Sequence, residues 1–194
     1  MTQNGTYDVI IANQSLHHFI ELETIFANVR NALAVDGFFL ADEMIGRNGH
    51  MRWPEALVLL RQVWDSAPVR YKYNHALRRQ EARYDNWDCS KEGFEGVRSQ
   101  DILPLLIKQF NFDLFVAFGN LIDVFVDRCF GHNFDPTNPE DTDFIDTVQS
   151  LDEDCIERGL ITPTHMTAVM RRCHVGKANI YRHLSPAFCV REKA

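Results

Sequence analysis

Two adjacent histidines, His17 and His18, follow a polar run, Asn13-Gln14-Ser15, which itself follows the short apolar segment Val9-Ile10-Ile11-Ala12. Imidazole takes up and releases a proton near neutral pH, so either histidine could act as a general base toward a hydroxyl or an amine, or could simply pack and hydrogen-bond. Asn13 and Gln14 each offer a donor and an acceptor, and Ser15 could close a turn with nearby amides. Polar residues also end strands and start helices with no further role. Downstream, Asp42-Glu43 and Arg52 supply carboxylates and a guanidinium. Glu43 could orient an acceptor and Arg52 could grip an anionic group through a forked hydrogen-bond pair, although loop charges are commonly only solvated. His17, His18, Asp42, Glu43 and His50 could converge as metal ligands. Adjacent loop histidines, however, lack the i, i+4 spacing of His-Glu-x-x-His, and no second motif fixes the remaining ligands, so no metal is expected.

The elements that must position these groups are legible from hydrophobic pattern. Val9-Ile10-Ile11-Ala12 is a continuous apolar run, which predicts a central parallel strand buried on both faces. Leu22, Ile25, Phe26, Val29 and Leu33 form the stripe of a helix that stops near Asp36-Gly37, and Phe38-Phe39-Leu40-Ala41 resumes as a second strand. Together they make a βαβ unit. Because neighbouring parallel strands end at the same side, the loops after Ala12 and Ala41 should open on one sheet edge, where α/β folds bind ligands. Pro54 opens another helix, with Leu57, Leu60, Val63 and Trp64 on one face. Residues 69 to 97 mix Arg70, Lys72, Arg78, Arg79 and Arg83 with Tyr71, Tyr73, Tyr84 and Trp87 without clean period, and read as a lid or excursion that is either solvated or closes over an anionic substrate.

A helix with Ile102, Leu103, Leu106 and Ile107 inward follows, then a strand at Leu114 to Phe118 closed by Gly119, and a short helix at Leu121, Val124 and Phe125. Asn138-Pro139-Glu140-Asp141 gives a cap, a first-turn proline and first-turn acids to a helix with Phe144, Val148, Leu151 and Cys155 on one side. Met166 to Met170 is the last strand of this series. A net charge of −7 argues against a nucleic-acid partner, and no apolar run approaches the ~20 residues that span a bilayer. The five cysteines, scattered and without a Cys-x-x-Cys pair, read as reduced thiols of a cytoplasmic protein.

The segment Tyr7 to His18, an aspartate entering an apolar strand and a polar turn ending in Leu-His-His, resembles the fourth strand and following loop of class I S-adenosylmethionine-dependent methyltransferases. Asn28 to Leu33 with Asp36-Gly37-Phe38-Phe39-Leu40 is similar to the next helix and strand of that family. Asp42-Glu43-Met44-Ile45-Gly46 with Arg52-Trp53-Pro54, and Ile161-Thr162-Pro163-Thr164-His165-Met166, resemble a bacterial subgroup carrying Glu-Tyr-Ile-Gly, a later Trp-Pro and a similar approach to the last strand. The family sheet runs 3-2-1-4-5-7-6 with strand 7 antiparallel. The resemblance therefore implies an α/β fold, an incomplete Rossmann-like doubly wound sheet with strands 4, 5, 6 and 7 and helical insertions. It also implies Asn13, Gln14 and Ser15 on the cofactor side and His18 ahead of His17 as the catalytic base; Glu43 and Arg52 are read as acceptor-side residues from their own chemistry.

No two glycines here are separated by one residue; Gly46-Arg47-Asn48-Gly49 and Gly93-Phe94-Glu95-Gly96 have other spacing. The Gly-x-Gly turn and the ribose-binding acid of the family's front half have no counterpart. Residues 1 to 172 are thus expected to form a partial methyltransferase domain with a leader at 1 to 6, and residues 173 to 194 an unassigned tail. By resemblance, the complete protein would methylate a small molecule or a glycan- or peptide-type acceptor, while this chain alone would be inactive. Alternatives are one half of a two-chain methyltransferase or a non-enzymatic binding module. Either would pair through the Val9 to Ala12 edge with a partner chain or a second copy, unless the tail covers that edge.

Overall fold

The computed structural model describes residues 6–173 and 176–191, so the expected leader lies outside them except for Thr6. Along the chain run β1 (Tyr7–Asn13), α1 (Leu22–Ala32), β2 (Leu33–Met44), α2 (Pro54–Ser66), β3 (Tyr73–Asn74), β4 (Arg79–Gln80) and α3 (Ser99–Gln109). These are followed by β5 (Asn111–Phe118), α4 (Leu121–Val126), α5 (Pro139–Glu157), β6 (His165–Arg171) and β7 (Asn179–Ile180). The chain divides into two compact units, one of Met1–Met51, Trp87–Phe118 and Thr162–Ala194, the other of Arg52–Asn86 and Gly119–Ile161. Residues 69 to 97 are therefore shared between the two. Among the described residues no helix is long and apolar enough to cross a membrane.

The first unit is α/β, built on a five-stranded sheet in the order β1-β2-β6-β5-β7. β1 pairs parallel with β2, β6 runs antiparallel to both β2 and β5, and β7 is parallel to β5. Four strands thus share one direction and β6 opposes them. Register alternation sorts the side chains: Phe39, Ala41 and Glu43 lie opposite Met170, Ala168 and Met166, and all six are buried. Phe110, at the end of α3, packs edge-on against Phe26 of α1 (6.4 Å between centroids) and against Phe39 (5.3 Å), joining helices to sheet. Burying an aromatic of this size contributes about 2–3 kcal/mol, so Phe39 and Phe115 are principal anchors of the unit.

Three expectations change here. The helix ends at Ala32 and β2 begins at Leu33, because the ladder jumps from Tyr7↔Leu33 to Val9↔Phe38 and Ala34 to Gly37 bulge out between. Gly37 suits that bulge, since a Cβ there would meet Tyr7 O at 3.0 Å and Asp8 O at 3.1 Å. Second, β1 is not buried on both faces: Ile10 and Ala12 turn toward the core, but Val9 is 48% and Ile11 67% exposed, and no described strand pairs with the outer edge of β1. Third, the described part of the tail does not cover that edge. Its strand β7 joins β5, with Leu114 opposite Asn179, at the far side of the sheet.

The second unit is mostly helical. Pro54 sits in the first turn of α2, which buries Ala56, Leu60 and Trp64, and the Trp64 ring packs against Phe130 (5.0 Å) and Phe125 (5.9 Å). Tyr71 stacks on Phe134 at 4.4 Å and meets the Phe144 ring at a tilt, 4.8 Å away. Asn138 caps α5 by accepting from the Glu140 amide, as its sequence predicts. The inward stripe of α5 is shifted, however. Leu151 is 37% exposed, while Asp152 is buried and accepts the amides of Asn120 (3.0 Å) and Leu121 (2.7 Å) at the start of α4.

Candidate functional site

The parallel register brings Asn13 level with Asp42, so the loops after β1 and β2 leave the sheet side by side. The chain turns sharply at Gln14, whose φ of +45° is left-handed and unfavourable for a residue with a side chain. Gln14 is held there from both ends: its amide donates to Asp42 O (2.8 Å) and its Nε2 to Asp42 Oδ1 (2.8 Å). The second Asp42 oxygen accepts from Thr167 of β6 (2.6 Å). Gln14 Oε1 is left buried without a hydrogen-bond partner, whereas Asn13 is exposed.

Glu43 is fully buried and organises the next turn. One of its oxygens, Oε2, accepts from the amides of Ser15 (2.8 Å) and Leu16. Its Oε1 accepts from its neighbour's amide at Met44 (3.1 Å) and lies 2.5 Å from His17 Nδ1. Amides only donate, so this carboxylate acts as an acceptor throughout, and Nδ1 of His17 carries the proton between them. His17 is itself 3% exposed, and its Nε2 points away from Glu43 toward Glu95 Oε1, 3.6 Å off. Glu43, expected to orient an acceptor, has its oxygens engaged in anchoring the loop and the His17 ring.

His18 is oriented differently. Its Nδ1 donates to the Phe94 carbonyl (2.9 Å), which can only accept, so the ring holds its proton on Nδ1 and leaves Nε2 as the basic nitrogen. The His18 side chain is 44% exposed and its Nδ1 is 3.5 Å from Glu95 Oε2. His50 completes the group, with Nε2 2.9 Å from Glu95 Oε1 and its ring edge-on to His17 at 5.2 Å.

Two loops deliver these last residues. Gly49 and Gly96 are both left-handed (φ +67° and +65°), and Gly49 N donates to Gly96 O at 2.8 Å. A Cβ on Gly49 would come within 2.0 Å of Asp88 Oδ1, and one on Gly96 within 3.1 Å of the His50 ring. Only glycine lets the loops approach this closely. His50 is itself left-handed at φ +55°. The Glu95 loop is tied down by Val97 N donating to His17 O (3.2 Å) and by Arg98, which forks onto Glu23 (2.7 and 2.8 Å) and reaches Asp101 (2.9 Å). The hydrogen bonds from Arg98 hold the Glu23 carboxyl down to about 2. Burial works against the Glu95 carboxylate, but the hydrogen bond from His50 and the fields of His50, His18 and His17 prevail and lower its pKa.

His17, His18, Glu43 and His50 therefore converge within the first unit, with Asn13, Gln14 and Ser15 beside them. Asp42 is engaged by Gln14 and Thr167 instead. Arg52 belongs to the second unit, where it is buried, with Nε donating to Asn120 O (3.0 Å) and Nη2 3.4 Å from Asp123. Glu95 is the residue that sequence reasoning missed. Its only signal was the Gly93-x-x-Gly96 frame, which says nothing about which loop it will meet. All five cysteines are thiols, with no disulfide among the described residues. The second unit has a cavity of about 240 Å³ lined by residues such as Phe125, Phe134 and Ile145, and none of the expected site residues lines it.

No protein-family model matches the sequence, and no curated protein matches it. Among solved structures, the PH0226 protein from Pyrococcus horikoshii OT3 is similar over 88% of this chain, at 14% identity and a TM-score of 0.36. An S-adenosylmethionine-dependent methyltransferase from Mesorhizobium loti is similar over 87% of this chain, at 13% identity and a TM-score of 0.40. This chain spans 54% of the first protein and 64% of the second.

Proposed function

We propose that this chain is the later part of a class I S-adenosylmethionine-dependent methyltransferase, contributing strands 4 to 7 and the acceptor-side residues. The observation that carries the reading is the sheet itself. β1-β2-β6-β5, with β6 alone reversed, is the order and direction that strands 4-5-7-6 of that fold require. It is reached by a chain whose β1 loop carries the Leu-His-His turn on which the resemblance rests.

The described residues fit one flank of the cofactor. Gln14 Oε1, a buried acceptor lacking a donor, suits the ammonium of the methionine end, with Asn13 and Ser15 beside it. A Gly-x-Gly turn and a ribose acid would have to come from outside these residues, so the chain alone is proposed to be inactive. When bound, the cofactor supplies a sulfonium-activated methyl group. His18 Nε2 would take the proton that an acceptor hydroxyl or amine gives up, while Glu43 fixes the turn that carries His18. The acceptor is a small molecule or a glycan- or peptide-type metabolite. For Arg52 to grip an anionic group on it, that group would compete with Asp123 for the guanidinium. Five thiols suit work in the reducing cytoplasm.

The test joins a matching front half to residue 7 and measures methyl transfer. His18→Gln should lower kcat by roughly a hundredfold with acceptor KM little changed. Full turnover in both His17→Gln and His18→Gln would leave positioning alone as the mechanism. A second reading is favoured by the outer edge of β1, with which no described strand pairs and which is flanked by exposed Tyr7, Val9 and Ile11. It makes the chain one half of a two-chain methyltransferase or a non-enzymatic binding module, docking a partner strand or a second copy there.

A further inference from the structure

We propose that His17, His50 and Glu95 form a binding site for a divalent transition-metal ion of the zinc type. The inference goes beyond methyl transfer and rests on geometry alone. The three ligand atoms, one from each residue, lie within 4.8 Å of one another. Tetrahedral zinc with bonds of about 2.0–2.2 Å places its ligand atoms ~3.3–3.6 Å apart. His17 Nε2 and Glu95 Oε1 are 3.6 Å apart, too far for a hydrogen bond but close to that polyhedron edge. His50 Nε2, which donates to the same oxygen at 2.9 Å, gives up that proton and opens by a few tenths of an ångström on becoming a ligand, since metal binding displaces protons from its ligands.

His17 also has the support that metal-binding histidines characteristically have. Its Nδ1–H is engaged by a buried carboxylate, Glu43, which fixes the tautomer and aims Nε2 as a lone pair into the cluster. The two loops that bring His50 and Glu95 are pre-shaped by the left-handed backbone at Gly49, His50 and Gly96. Two imidazoles and one carboxylate suit zinc, iron or cobalt, whereas calcium and magnesium prefer all-oxygen shells. Side-chain exposures of 39% at Glu95 and 21% at His50 leave a fourth position open to water or to an oxygen of a bound ligand. His18 is not required, since its Nδ1 is committed to the Phe94 carbonyl.

The test uses the whole chain, stripped with a chelator and titrated with Zn(II) by calorimetry and with Co(II) by visible absorption. One ion per chain and intense d–d bands are expected. Glu95→Gln and His50→Asn, the latter compatible with the left-handed backbone, should each weaken binding at least tenfold. Glu43→Gln should weaken it ~10–100-fold without changing stoichiometry, and His132→Gln, at a histidine of the second unit, should leave it unaltered. Circular dichroism separates loss of ligands from loss of fold; if one variant misfolds, Glu95→Gln, on a surface loop, decides. Equal Zn(II) uptake by the wild type and the Glu95→Gln/His50→Asn double variant, or absent Co(II) bands, would overturn the proposal.

Discussion

Glu43 in the first unit and Asp152 in the second are each a carboxylate buried beneath a turn, and the two are used in opposite ways. Glu43 accepts three backbone amides and one imidazole, and that imidazole continues outward to Glu95, so the buried charge is linked to an accessible cluster. Asp152 accepts the Asn120 and Leu121 amides at the start of α4 and feels the charges of Asp123 and Arg52. Burial, assisted by the Asp123 charge and opposed by the two amides, pushes the Asp152 carboxyl up to about 6. The contrast separates an acid that holds functional groups in place from one that closes a helix end. What distinguishes them is the fourth donor, His17.

The largest expected difference between the two carboxylates is in stability. Glu43→Gln turns an amide NH2 toward groups that only donate, and should cost on the order of 3 kcal/mol in denaturant unfolding. Asp152→Asn at pH 7 should cost about 1 kcal/mol, because it also relieves an unfavourably buried charge. If Asp152→Asn proved as damaging as Glu43→Gln, the distinction would fail.

Next in size is a pH dependence. The folded Asp152 keeps its proton up to about 6 while the unfolded carboxyl loses it near 3.8. The native state therefore binds more protons in that window, and stability should fall as pH rises from about 4 to about 6, by on the order of 3 kcal/mol from this group. Asp152→Asn should flatten that slope in a series of urea melts across the window. An unchanged slope would show that Asp152 does not titrate there.

The smallest effect concerns the two edges of the sheet, of which β7 covers one. Ile11→Lys, at a 67% exposed position, should leave the melting temperature within a few degrees but abolish any self-association seen by sedimentation. Association that survives the change would place the contact elsewhere.

Local features of the sequence carried much of this. β1, its polar turn and β2 are contiguous, and the parallel pairing that sets Asn13 beside Asp42 follows from two apolar runs joined by one helix. The convergence of His17, His18, Glu43 and His50 was legible to that extent. Glu95 was not, because it reaches the cluster through paired left-handed glycines whose partner loop no periodicity announces. The one-sided burial of β1 escaped for another reason: a continuous apolar run specifies what a strand prefers to bury, not which neighbours are there to cover it. In α5 the helical period favoured Leu151, but the unsatisfied amides at the start of α4 draw Asp152 inward instead.

The most direct test of the central claim is calorimetric titration of S-adenosylmethionine into this chain and into a fusion that joins a front half bearing a Gly-x-Gly turn to residue 7. The expected result is no micromolar binding by the chain alone and a dissociation constant near 1 μM, about −8 kcal/mol, for the fusion, weakened at least tenfold by Gln14→Ala. Micromolar binding by the isolated chain, or a folded fusion whose affinity is indifferent to Gln14, would contradict the assignment of the Asn13 to Ser15 loop to the cofactor.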